Sequence, residues 1–139
     1  MFTKSNLLGT LVGAVAIYIL VWIYMLPIFW PFWDKHHNNI EGLHKEPPET
    51  LWIIISIIIL SFILSTIYGK FKKENHNFMG GFVVAGWVAA FYSVGISLGH
   101  YGYMNHYDLT GILVDAVVGI VMYGIVGGLI ALVYKATSK

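Results

Sequence analysis

Cysteine and arginine are both absent from these 139 residues. The lack of cysteine excludes disulfides, thiolate metal sites and thiol catalysis, and it leaves the redox compartment open. The lack of arginine makes all eight basic residues lysine. Bidentate guanidinium clamps on phosphate or carboxylate are therefore excluded. Charge is scarce, at 11% of residues, against about 25% in an average soluble domain. A net charge of +1 gives no electrostatic case for a nucleic-acid partner. Catalytic signatures are missing as well. The chain has no P-loop, no Gly-x-Ser-x-Gly, no His-Glu-x-x-His, no paired intramembrane histidines and no arginine-rich sensor helix. Nothing here supports an enzyme, and no catalytic residue is assigned.

What the chain does have is apolar length. Hydrophobic residues make up 58%, in four stretches separated by three short polar loops. About 20 apolar residues cross a hydrocarbon core as a helix. The spans are expected at about 7–29, 51–68, 78–98 and 109–134. The fold class is then all-α: one domain over 1–139, a polytopic membrane protein with the lipid bilayer as its solvent. Ala14-Val15-Ala16 after Lys4 looks like a signal-peptide cleavage box. The apolar run continues to Phe29, however, so a retained first helix is expected.

Lysines set the expected sidedness. Lys4, Lys70, Lys72, Lys73, Lys135 and Lys139 fall in the N-terminus, loop two and the C-terminal tail. Loops one and three hold only Lys35 and Lys45. The positive-inside rule puts both termini in the cytoplasm and loops one and three outside. The three lysines of loop two can also attract anionic lipid, at roughly 1 kcal/mol each.

Small residues mark expected helix contacts, because they let backbones approach closely where lipid removes the hydrophobic drive. Gly9 and Gly13 share one face of helix one, Gly86 lies in an Ala/Ser series on helix three, and Gly119, Gly124 and Gly128 lie on helix four. Helices one, three and four are expected to pack tightly, with the isoleucine-rich helix two the most lipid-exposed. The same glycines can serve contacts within one chain or between chains.

Asp115 is the one charged residue well inside a span. At ~1.5 Å per residue it lies ~9 Å below the interface where helix four begins. A bare carboxylate there costs ~2.5–3.5 kcal/mol. It therefore needs a proton, a hydrogen-bond donor or a polar cavity. A proton- or cation-responsive site is one reading. A structural bond to Tyr24 or Ser97 on a neighbouring helix is the other.

Five of the six histidines fall on the expected outer side: His36, His37, His44, His100 and His106. With Glu41, Glu46, Glu49 and Asp108 they form a donor set suited to zinc, copper or nickel. Their spacing matches no helical i, i+4 pair and no zinc box, so hydrated loop histidines are the plainer reading. No cofactor is expected, and a metal ion is held open only at these five. Tyr101, Tyr103, Tyr107, Trp30 and Trp33 can line an outer pocket or form an interfacial aromatic belt.

The run Trp22-Ile23-Tyr24, then Phe29 and Trp33, resembles the end of helix one in a family of small bacterial four-span proteins of unknown function. The glycine-rich third helix, the Asp115-bearing start of helix four, and its close on Leu132-Val133-Tyr134-Lys135 are similar too. The histidine-bearing loop one is longer than in that family's compact form. The resemblance implies the four-helix fold and a bacterial inner membrane, with no activity attached. Small multidrug transporters also have four spans, but they carry an essential glutamate in helix one, where this chain has no acid.

Three functions are expected, in this order. The first is a small non-catalytic subunit that stabilises a larger membrane complex. The second is a homodimeric transporter or channel using Asp115. The third is an outward metal- or pH-sensing module. Partners are thus other membrane subunits or a second copy of the chain.

Overall fold

A computed structural model describes residues 2–38, 40, 47–72 and 74–137. Four helices are long and apolar enough to cross a membrane: α1 (Lys4–Tyr24), α3 (Thr50–Phe71), α4 (Phe78–Tyr103) and α5 (Leu109–Thr137). A short helix, α2 (Trp30–His36), lies between α1 and α3. The architecture is all-α. Its extended pairing, among the described residues, is a single antiparallel bridge between His37 and Tyr107.

Local chemistry sets the helix ends. Thr3 Oγ1 accepts the Asn6 N–H at 3.2 Å, and Asn77 Oδ1 accepts that of Gly80 at 2.7 Å. Each satisfies an orphan donor of a first turn. The first span is shorter than expected, ending at Tyr24 rather than Phe29. Pro27 lacks an N–H, and it holds Leu26 extended, at φ −62° and ψ 146°. The chain then makes a 3₁₀ turn over Pro27–Phe29 and enters α2. The third span is longer than expected. It continues past Leu98 to Tyr103, through a π-helical segment at Phe91–Ile96, so loop three is correspondingly short.

The four spans form a ring in chain order. Contact is extensive between α1 and α3, α1 and α5, and α4 and α5, but sparse between α3 and α4. This corrects the expected packing. Helix one does not pack against helix three, and the second half of helix two buries a face on helix one. Ser61 and Ser65 on that face have no exposed surface. They sit opposite Gly13 and Gly9. Ser61 Oγ donates to Thr10 O at 2.7 Å, and Ser65 Oγ to Asn6 O at 3.0 Å.

The α4–α5 seam is closer still. A side chain on Gly127 would strike Ala85 Cβ and Gly81 O. Phe82 covers Gly124, and Phe78 covers Gly128. The Gly124/Gly128 pair is thus filled from within the chain. Near the termini the ring is solid. Tyr68, Ile130 and Tyr134 are buried there, and Tyr134 Oη donates to Ser65 O at 2.9 Å. Towards the opposite end, the loop end, the first half of α3 turns outward. Leu51, Trp52, Ile53, Ile54, Ile58, Ile59 and Leu60 are all exposed.

Candidate functional site

The loop end of the bundle gathers the polar residues that the sequence singles out. Its anchor is the start of α5. Asp108 Oδ1 accepts the Gly111 N–H at 2.7 Å, capping the helix. The other carboxylate oxygen, Oδ2, takes a 2.7 Å hydrogen bond from His36 Nδ1. Asp108 N–H donates back to His36 O at 3.1 Å, and Asn38 N–H to His106 O at 2.9 Å. The Asn38 amide also donates to Asn105 Oδ1 at 2.8 Å. These bonds clasp the chain after α2 to the segment before α5. Gly111 makes room for it, since a Cβ there would meet His36 at 3.2 Å. The Gly111 N–H, and then the His36 side chain, hold the Asp108 carboxyl below the usual carboxylate range.

Two turns into α5 stands Asp115. Tyr24, the last residue of α1, donates its hydroxyl to Asp115 Oδ1 at 2.8 Å. A series of rings runs outward from that phenol. Tyr24 meets Trp33 with centroids 5.2 Å apart, Trp33 meets Tyr107 at 6.0 Å, and Tyr107 meets His37 at 5.0 Å. Burial pushes the Tyr107 phenol up, and the Asp115 charge adds to it.

Asp115 separates two cavities and walls both. Towards the loops is a vestibule of about 100 Å³, lined by Ser97, His100, Tyr101, His106 and Tyr107 among others. Towards the bundle interior is a chamber of about 180 Å³, lined by Leu20, Val21 and Tyr24 of α1, Tyr92 and Ser93 of α4, and Gly119 and Tyr123 of α5. Gly119 is what brings Ser93 close: a Cβ there would lie 2.8 Å from Ser93 Oγ. A lone carboxylate among tyrosine faces can hold a positive charge, by ion pairing and by cation–π attraction.

The five outer histidines have separate fates. His36 is bonded to Asp108. His37 and His106 face each other, with ring centroids 4.6 Å apart. His100 joins His106 on the vestibule wall. His44 lies outside the described residues. Loops one and three therefore meet, yet the described residues hold no group of three His, Cys, Asp or Glu side chains placed to take a metal ion. Of the outer aromatics, Tyr101 and Tyr107 line the vestibule and Trp33 joins the ring series, while Tyr103 and Trp30 are exposed.

Sequence reasoning passed over Tyr92 and Tyr123, and read Ser93 only as a packing residue. Ser93 falls in the small-residue series of α4, the one signal that pointed at it. Fold and site together define a four-helix polytopic membrane protein with an internal carboxylate between two cavities. No family model matches this chain, nor does any curated protein or solved structure.

Proposed function

We propose that this chain is a small transporter for a positively charged solute, with Asp115 as its charge site. The observation that carries this is the place of Asp115 on the wall of both the vestibule and the chamber. A helix–helix bond alone needs no space on either side. Tyr24 orients the carboxylate through its 2.8 Å bond, and Tyr92, Tyr107 and Tyr123 present further rings around the two cavities. Aromatic walls around one anion suit an organic ammonium better than a hydrated metal ion, because π faces favour weakly hydrated cations. The lysine asymmetry supports a vestibule on the outer side and cytoplasmic termini, and the family resemblance supports a bacterial inner membrane.

Uptake of tetramethylammonium into proteoliposomes tests the reading. Asp115→Asn should insert and fold normally and lose at least about tenfold in uptake, the factor given by ~1.4 kcal/mol of lost ion pairing. An Asn variant that transports as well as the parent sinks the proposal. Cross-linking in the same vesicles reads whether the working form is a homodimer.

A second reading, a non-catalytic subunit of a larger membrane complex, draws support from the first half of α3. Its residues Leu51–Ile54 are exposed among the described residues, which leaves room for a partner's helix. Gentle native extraction followed by mass spectrometry decides it. Fixed-stoichiometry partners favour the subunit, and a lone monomer or homodimer favours the transporter.

A further inference from the structure

The chamber beside Asp115 borders a second cavity. Tyr92 and Tyr123, which wall it, also wall a second cavity of about 310 Å³ between α3 and α4. The rest of that groove is apolar, with Leu60 and Leu64 on one side and Val88, Ala89 and Phe91 on the other. It occupies the side of the ring where helix contact is sparse.

Two features open it. Leu51–Ile54 and Ile58–Leu60 of α3 are exposed, and α4 widens at its π-helical segment, Phe91–Ile96. A π turn takes in an extra residue and re-aims the side chains that follow, often at functional sites. Here it sends Phe91 to the groove and Ser93 to the chamber, with Tyr92 between them on both walls.

Resting on the reading of Asp115 as a cation site, we infer that the solute is an amphiphile: one ammonium group on an alkyl tail, taken laterally from the bilayer. The order of surfaces along the membrane normal supports this. Asp115 lies ~9 Å from the start of α5, near the loop-side interface. Leu60, Leu64 and Ala89 fall near the middles of their helices, at mid-membrane depth. A cationic amphiphile of the loop-side leaflet lies the same way, head outward and tail towards the midplane. Its tail exchanges lipid for an equally apolar groove, while its head gains a carboxylate and tyrosine faces. A water-borne ion reaching Asp115 through the vestibule has no use for the groove.

The probe is dodecyltrimethylammonium carrying a photoreactive diazirine on its chain, with the matching uncharged dodecanol as control. Both are applied to the protein in phosphatidylcholine nanodiscs. The ammonium probe should form adducts at Tyr92, Tyr123 and the Leu60–Leu64 turn. Asp115→Asn should cut that labelling at least tenfold, with little effect on the alcohol. Val88→Trp, which fills the groove, should cost the alkyl probe at least tenfold more than it costs tetramethylammonium. Leu60→Trp on the groove rim serves the same purpose should Val88→Trp fail to fold. Adducts confined to Tyr101 and His106, or equal labelling by probe and alcohol, overturn lateral uptake and leave the charge site standing. So does a co-purifying partner helix cross-linked into the groove. Tetramethylammonium uptake indifferent to Asp115 overturns the charge site itself.

Discussion

Replacing Gly127 by alanine tests the tightest contact in the molecule. The added methyl would collide with Ala85 Cβ and the Gly81 carbonyl oxygen. Both belong to, or hang directly on, the backbone of α4, so no rotamer change relieves the clash. The helices must part, and Phe82 over Gly124 and Phe78 over Gly128 lose contact along the same seam. Overpacking of this kind costs about 1–3 kcal/mol. Alanine also gains up to ~1 kcal/mol over glycine in helix propensity, so with the full gain the net loss is about 0–2 kcal/mol. Gly86→Ala is the control. A Cβ at Gly86 meets Ile120 Cγ2 at 3.9 Å, an ordinary contact. That variant keeps the propensity gain without the clash and should be neutral or stabilised. The difference between the two isolates the steric cost. Equilibrium unfolding in mixed micelles reads both. Equal stability of Gly127→Ala and Gly86→Ala would refute the described seam.

Two further outcomes follow from the loop end. Tyr24→Phe removes the 2.8 Å donor to Asp115 while keeping the ring on Trp33. Interhelical hydrogen bonds in membranes average about 0.6 kcal/mol, with a maximum near 1.7, so the loss should fall in that range by the same unfolding assay. The clasp should be indifferent to pH across the neutral range as far as Asp108 is concerned. Its carboxyl is held low in the folded chain, so an opened loop binds more protons than the clasped one below the ordinary carboxylate pKa of ~3.9. Its contribution is complete above that value and is lost as pH falls through the lower folded pKa. A neutral imidazole with hydrogen on Nδ1 still donates to Asp108, so the bond does not need a charged His36. Tryptophan fluorescence from Trp33 should change only in acid, and a carboxylate midpoint above pH 4 would contradict this.

The number of spans was legible because bilayer thickness forces apolar length, and length survives without tertiary information. Helix ends were less so. The break at Tyr24 is written in Pro27, two residues inside the expected end of the run at Phe29, where hydropathy outvoted backbone chemistry. Helix pairing was obscure for a different reason. Every helix carries small residues, and only their mates distinguish them. Gly86 was named and meets little, whereas Gly81, which was not, abuts the backbone of Gly127. Ser61 and Ser65 are small residues in an isoleucine-rich helix, yet they bond the carbonyls of α1. Asp115 with Tyr24 was within reach because few donors exist at that depth. The His36–Asp108 clasp was not, since several loop histidines and carboxylates offer equivalent pairings. The widened turn of α4 has no sequence signature, and with it went Tyr92 and Tyr123.

The two ends of the bundle are held by different chemistry, and this determines where it can open. Near the termini, hydroxyl-to-carbonyl bonds lock α3 to α1 and α5. At the loop end, the clasp joins the segment after α1 to α5, and the ring series from Tyr24 to Tyr107 reinforces it. Contact between α3 and α4 is sparse, so the α3–α4 gap is where the proposed lipid-borne solute would pass. Leu60 and Phe91 line the two sides of that gap. The absence of native cysteine makes it testable without background. Leu60→Cys with Phe91→Cys, joined by a short bifunctional thiol reagent, should abolish labelling by the alkylammonium probe, and either single variant treated alike should not. Since the vestibule stays open, tetramethylammonium should still reach Asp115 in the joined protein. Unchanged alkyl labelling after complete cross-linking would show that the tail takes another path.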